Sequence, residues 1–225
     1  MKEGLQVMSE KNANERAHKA PEHPRVLIFF DYACPFCYVD QHRFDALHGE
    51  LEFERVLIPF ELKPAMPEEG IDLAEVGSGH SDRVDEYLRR TAKKEGFPFA
   101  QPGFLPNTHK ALVLGEVARD AGSSTHQEAH RAIFNAYFGE GLDIGSCQVL
   151  LEIAEEVGMK AEEVEHAWDE GVHEERLHSF RHLAASLGLD ATPAALICNE
   201  LIVGSRPMGV LRDALKRCGS HPEAE

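Results

Sequence analysis

Two cysteines, Cys34 and Cys37, are spaced Cys-x-x-Cys directly after the apolar, β-favouring run Val26-Leu27-Ile28-Phe29-Phe30. A helical pattern opens at the second of them, so the local order is strand, thiol pair, helix. A thiol at a helix N-terminus faces backbone N–H groups without partners and the positive end of the helix dipole. Both favour thiolate over thiol. Cys34 is therefore placed as the exposed, attacking nucleophile, and Pro35 suits the first helical turn, where its missing N–H costs nothing. At 100° per residue Phe36, Val39, Phe44 and Leu47 share one face with Cys37 at its edge, which puts Cys37 deeper than Cys34.

The elements that must hold this pair follow from periodicity. A strand spans 25 to 30, a helix runs from about Pro35 to His48, and residues 51 to 60 pass from alternation to a continuous apolar run, a second strand beside the first. Such a βαβ unit has a right-handed crossover and gathers chemistry at the carboxyl ends of its strands, which is where Cys34 lies. From about Lys63 to Gly188 strand signals stop. An amphipathic stretch through Val84, Tyr87, Leu88 and Thr91 is followed by a helix from Thr108 to Ala121. Thr125-x-x-Glu128 has the form of a capping box for the next helix, which breaks at Gly139 and Gly141. Further helices cover about 146–157, 161–169 and 172–187. Then Ala194-Ala195-Leu196-Ile197-Cys198, a turn at Asn199-Glu200 and Leu201-Ile202-Val203 read as a β-hairpin. Pro207 opens a last helix with Val210, Leu211, Ala214, Leu215 and Cys218 on one face.

The whole-chain numbers bound the function. At 225 residues and 43% hydrophobic, the chain has the material for one large domain or a small one with an insertion. Lys plus Arg is 23 against 39 for Asp plus Glu, a net charge of −16, which repels phosphate backbones and anionic lipid and argues against nucleic-acid or membrane-surface roles. Residues 1–24 read as a polar, flexible leader without the apolar core of a signal peptide, and 220–225 as a polar tail. No apolar run approaches the roughly 18 residues of a membrane span. The chain thus reads as soluble and cytoplasmic, where a lone Cys-x-x-Cys is catalytic or metal-binding rather than part of a disulfide framework.

Metal is the plainer alternative for the pair. A four-ligand zinc site wants a second Cys-x-x-Cys, which is missing, or a spaced His pair. The helical pairs His126/His130 and His178/His182 are distant in sequence. Cys198, in a core strand, and Cys218, on an apolar helix face, read as inert buried thiols, and Cys147 near a helix start has no partner in sequence. Asn107 and Thr108 read first as a helix cap, and Asp31 and Tyr38 as flanking residues that pack or end the strand.

Assembled, the order is βα, β, a helical insertion, a Pro-preceded hairpin and a closing helix. Together with Asp31-x-x-Cys34-Pro35-x-Cys37-Tyr38, Asn107-Thr108, Phe134-x-Ala-Tyr-Phe-x-Glu-Gly-x-Asp-Ile144, Thr192-Pro193 and Gly204-Ser205-Arg206-Pro207, this layout resembles the DsbA-like thioredoxin-fold oxidoreductases, most closely their FrnE-type cytoplasmic branch. The resemblance spans roughly 25 to 217. It departs at Phe36, Leu112 and Ala191, where the family often carries Trp, His and Gly. The resemblance implies an α/β thioredoxin-fold domain (25–62 and 189–219) with an inserted α-helical subdomain (63–188), acting as a thiol:disulfide oxidoreductase or disulfide isomerase.

In that reading Cys34 forms the mixed disulfide and Cys37 resolves it. Pro35 and Phe36 tune the thiolate, a cis Thr192-Pro193 bond lies beside the cysteines, and Tyr38, Asn107 and Thr108 border the substrate cleft. No cofactor is required. Partners are proteins or small molecules carrying thiols or disulfides, and exchange with a pool such as glutathione is open to the dithiol. The alternatives are a glutathione-dependent isomerase or transferase resembling the 2-hydroxychromene-2-carboxylate isomerase and kappa-class group, which usually carries serine where Cys34 stands, and a non-catalytic metal-binding or chaperone module.

Overall fold

A computed structural model describes residues 23–74 and 82–219, so the expected leader, but for its last two residues, and the tail lie outside the described residues. A four-stranded sheet organises the chain in the order β2-β1-β5-β6. Its strands are β1 (Arg25–Phe30), β2 (Glu54–Pro59), β5 (Ala194–Ile197) and β6 (Glu200–Val203). β1 runs parallel to β2, with Phe30 opposite Pro59, and antiparallel to β5, with Phe29 opposite Ala194. The parallel pair requires a crossover, supplied by α1 (Pro35–His48).

Alternation along the strands divides the core between two faces. Val26, Ile28, Phe30 and Leu57 point to one side and meet Phe44 and Leu47 of α1, together with Leu211, Ala214 and Leu215 of α8 (Met208–Gly219). Leu27, Phe29, Val56 and Ile58 point to the other, where they pack with Phe180, Leu183 and Ala184 of α7 (Glu174–Ser186). Helices thus cover both faces of a mixed sheet, the architecture of a thioredoxin fold, with further elements between β2 and β5. α7 belongs to the sheet by packing although it follows a run of helices in sequence.

Between β2 and α7 lie β3 (Ile71–Asp72), α2 (Asp82–Glu95), β4 (Phe104–Leu105), α3 (His109–Ala121), α4 (Ser123–Phe134), a π-turn (Asn135–Gly139), α5 (Cys147–Glu156) and α6 (Ala161–Asp169). The antiparallel β3–β4 pair falls where the sequence predicts no strand, because two residues are too few to show a period. Gly70 enters β3 at φ +71°, so close to the Leu105 carbonyl that a Cβ would sit 2.6 Å from its oxygen.

Three local expectations are corrected. The capping box at Thr125 does not form, since α4 starts at Ser123 and the Ser124 hydroxyl instead donates to Glu128 at 2.8 Å. The hairpin turn is Cys198-Asn199, so Cys198 leaves the strand and is exposed. Val210 is 44% exposed, while Leu211, Ala214 and Leu215 carry the apolar face of α8.

Candidate active site

Residues 31–34 form the bend between β1 and α1 at the carboxyl end of the central strand, and Cys37 lies in the first turn of α1. The Cys34 N–H donates to the Asp31 carbonyl at 3.0 Å, and the Cys34 carbonyl accepts the Cys37 N–H at 3.0 Å, so Cys34 is the N-cap of α1. Its sulfur lies beside the first helical turn, where the Cys37 and Phe36 N–H groups favour its charged form.

Both thiols are buried, Cys34 at 6% exposure and Cys37 at 3%. The exposed nucleophile of the sequence reading is thus corrected to one nearly covered. Half-buried Phe36 and the facing Tyr87 of α2, rings 6.2 Å apart, stand on this side of the bend. What separates the two sulfurs is electrostatics. The Cys34 thiol is held below the ordinary range, chiefly by the Cys37 thiol and then by the Thr192 side chain, against the opposing effect of burial. Burial, reinforced by its role as donor to Cys34, pushes the Cys37 thiol well up. The pair divides into a sulfur that ionises readily and one that keeps its proton.

Thr192 approaches from a segment 158 residues away. The Cys34 thiol contacts the Thr192 carbonyl with sulfur and oxygen 3.5 Å apart. The Thr192–Pro193 peptide is cis. The Thr192 hydroxyl is buried outside strict hydrogen-bond geometry, yet it favours negative charge on both sulfurs. β5, paired with β1, carries this segment to the cysteines.

Asp31 is the site residue that sequence reasoning undervalued. Its carboxylate is 1% exposed and accepts the N–H of Ala33 at 2.9 Å and of Leu62 at 2.6 Å. One side chain thereby ties the cysteine bend to the chain leaving β2. Burial raises its pKa, outweighing the lowering effects of those two N–H groups and of the Thr108 side chain. An acid ending a core strand just before Cys-x-x-Cys is the signal that could have identified it.

The remaining expected site residues fall in different places. Tyr38 is 1% exposed, inside the core, with its hydroxyl donating to the Pro98 carbonyl at 2.8 Å. Thr108 is buried on Asp31. Asn107 accepts the His109 N–H at 2.9 Å, donates to the Met66 carbonyl at 2.8 Å, and lines a cavity of about 400 Å³ with Glu61, Met66, His109 and Lys110. Pro35 and Ala33 border a separate cavity of about 50 Å³, walled by Leu88, Phe99 and Tyr137.

Behind the site Arg43, 3% exposed, clamps α1 to α2 and to the loop after β6. It donates to both carboxylate oxygens of Glu95 at 2.8 and 2.9 Å, to Asp40 at 3.3 Å, to the Ser205 hydroxyl at 2.8 Å and to the Arg206 carbonyl at 2.9 Å. Among the described residues no group of three His, Cys, Asp or Glu side chains is arranged to hold a metal ion. His126 and His130 are buried, with His130 Nδ1 3.3 Å from the Tyr32 hydroxyl, and burial keeps both neutral.

A reactive and a reluctant thiol at the helix start of a thioredoxin fold define a thiol–disulfide protein. The family model of the DSBA-like thioredoxin domain matches residues 25–216, and the chain belongs to that family. It is 24% identical over 196 residues to the uncharacterized protein YwbO of Bacillus subtilis, covering 84% of this chain and 94% of that one. The probable DsbA oxidoreductase SCO1869 from Streptomyces coelicolor superposes with a TM-score of 0.81 at 23% identity, over 90% of this chain and 93% of that one. A 2-hydroxychromene-2-carboxylate isomerase superposes with a TM-score of 0.71 at 20% identity, over 86% and 95%. At these identities the structural likeness is one of fold.

Proposed function

We propose that the protein is a cytoplasmic thiol:disulfide oxidoreductase of the FrnE type that also isomerises disulfides, working through the Cys34-Pro35-Phe36-Cys37 dithiol. The observation that carries this reading is the opposite perturbation of the two thiols, Cys34 downward and Cys37 upward. In the reducing direction the Cys34 thiolate attacks one sulfur of a substrate disulfide. The substrate S–S bond breaks and a mixed disulfide forms. Cys37 then gives up its proton and attacks Cys34, releasing the second substrate thiol and leaving the Cys34–Cys37 disulfide. The oxidising direction reverses these steps. In isomerisation Cys34 is displaced by another substrate thiol before Cys37 acts.

Interactions that stabilise the Cys34 thiolate favour the reduced enzyme, since a disulfide carries no charge for them to act on. They bias the pair toward giving its disulfide away. No cofactor enters these steps, and exchange with glutathione can reset the dithiol. We place the thioredoxin-fold domain at 25–62 and 189–219 with the insertion at 63–188, whose last helix, α7, packs back on the sheet. Thr192 offers its backbone to an extended substrate, and Asn107 borders the cleft.

The test is reduction of insulin disulfides by wild type, Cys34→Ser and Cys37→Ser. Cys34→Ser should lose activity at least about 100-fold, the scale expected when the covalent step is removed, and Cys37→Ser should accumulate mixed disulfides. Full activity in Cys34→Ser overturns the dithiol mechanism. The isomerase-like fold relative gives a second reading its footing: glutathione transfer that persists in Cys34→Ser would favour it.

A further inference from the structure

A second sulfur pair lies at the other end of the sheet. Cys198 and Cys218 form a disulfide, with Cα atoms 5.9 Å apart, joining the β5–β6 turn to the last turn of α8. Cys198 is exposed and Cys218 half-buried, unlike the covered Cys34 and Cys37. Cys198 is also the one non-glycine among the described residues with positive φ, at +51°, a conformation that ordinary residues avoid and that marks a position held by its surroundings.

The two pairs cannot exchange within one molecule. Pro193, beside Cys34, and Cys198 are five residues apart along β5, about 17 Å at strand rise. Any electrons reaching Cys198–Cys218 come from outside.

Noncovalent contacts hold α8 alongside the disulfide. Leu211, Ala214 and Leu215 are buried against the sheet, and Arg212 holds Glu50 through two bonds of 2.7 and 2.9 Å. When the pair opens, only the final turn of α8, held by the Arg217–Glu200 ion pair at 2.7 Å, loses its covalent anchor.

We propose that Cys198–Cys218 is a second thiol–disulfide exchange site, out of reach of Cys34–Cys37 in the same molecule, which takes thiols of the glutathione class or the Cys34 thiol of another copy at Cys198. The incoming thiolate attacks the accessible Cys198 sulfur, the Cys198–Cys218 bond breaks, and Cys218 leaves as a thiolate that takes a proton. A second thiolate attacks the donor sulfur of the mixed disulfide, freeing Cys198 and forming the donor's own disulfide. Two donor thiols are oxidised and the pair is reduced by two electrons. The end of α8 is fastened under oxidising conditions and released under reducing ones.

The test uses the full chain carrying Cys34→Ser, Cys37→Ser and Cys147→Ser, equilibrated in glutathione buffers of increasing reduced fraction, acid-quenched, alkylated and weighed. Two thiols should appear together in one transition within the glutathione range, with Tm lower by about 6–12 °C in the open form. Should the triple variant not fold, peptide mapping of alkylated wild type reads the same transition at Cys198 and Cys218. In single variants the glutathione adduct should form on Cys198 in Cys218→Ser several-fold faster than on Cys218 in Cys198→Ser.

A pair that stays closed at every glutathione ratio and yields only to a phosphine is an inert staple and overturns the proposal. So does a pair that never closes in oxidised glutathione. Catalytic amounts of reduced Cys198→Ser/Cys218→Ser protein identify the donor: faster exchange assigns it to a second copy, and an unchanged rate assigns it to the small thiol.

Discussion

The Cys34 sulfur meets the Thr192 carbonyl at 3.5 Å, joining the helix start to the segment that leads into β5. A thiol beside a carbonyl is held as a donor. Its ionised form is favoured by the Cys37 thiol and by the N–H groups of Phe36 and Cys37. The reactive sulfur is thus fixed in position by one strand and made acidic by one helix.

Alkylation should separate the thiols. With the Cys34 pKa lowered and that of Cys37 raised, iodoacetamide at pH 7 should modify Cys34 and spare Cys37. The rate at Cys34 should reach half its maximum below the ordinary thiol midpoint of roughly 8.5. Peptide mass spectrometry across pH 5 to about 9 reads both sites, and equal rates at the two would refute the division of roles.

Asp31→Asn replaces an acceptor of two backbone N–H groups, one on each oxygen, by a group that must turn its own N–H toward one of them. We expect a loss of about 1–3 kcal/mol in urea unfolding. Insulin reduction should fall with it, because Ala33 and the cysteine bend lose their tie to Leu62. An unchanged unfolding midpoint would count against the clamp.

Arg43→Met leaves Asp40 buried and removes the links from α1 to Glu95 and Ser205. Breaking one side of a buried charge cluster costs about 3–5 kcal/mol. Chemical denaturation should register that loss, and a loss below about 1 kcal/mol would show the cluster to be idle.

Asp40 should impose a pH slope of its own. Burial raises its pKa from 3.8 to about 6, against the lowering effects of Ser205 and Arg43, so the ionised carboxylate is disfavoured in the fold. This contribution to stability should grow as pH falls through about 6 and level off below 3.8. The difference between wild type and Asp40→Asn, followed by thermal unfolding at pH 4 to about 8, should carry that slope, and a flat difference would contradict it.

His109 gives the opposite sign. Its ring faces Glu61 at 3.5 Å and Glu174 at 2.8 Å, which raises its pKa from 6.5 to about 9, with the Glu61 hydrogen bond foremost. The stabilisation is complete below 6.5 and lost as pH rises through about 9. The Tm advantage of wild type over His109→Gln should shrink between pH 7 and about 10.

Much of this architecture is legible along the chain. The run Val26–Phe30, the Cys-x-x-Cys and the pattern of α1 lie within about 25 residues, where strand alternation, helical spacing and capping operate. α6 falls at Ala161–Asp169 as its period predicts, and α3 begins one residue past Thr108. Less was legible at Cys198, where alternation extends the strand by one residue. Ending the ladder at Ile197 moves that thiol from the core into an exposed turn. Arg43 looks like an ordinary helix residue and Thr108 like an ordinary helix cap until their buried neighbours are in view.

That a reactive thiol stands at a helix start after a central strand is written in residue type and spacing, because those relations are local. What surrounds it comes from packing across the fold: Thr192 over Cys34, Asp31 tying the cysteine bend to Leu62, Arg43 joining α1 to Glu95 and Ser205, and Cys198 meeting Cys218. Each depends on atoms from distant stretches arriving within hydrogen-bond or bonding distance. Their positions are set by how the sheet and its covering helices pack, and no local period encodes that.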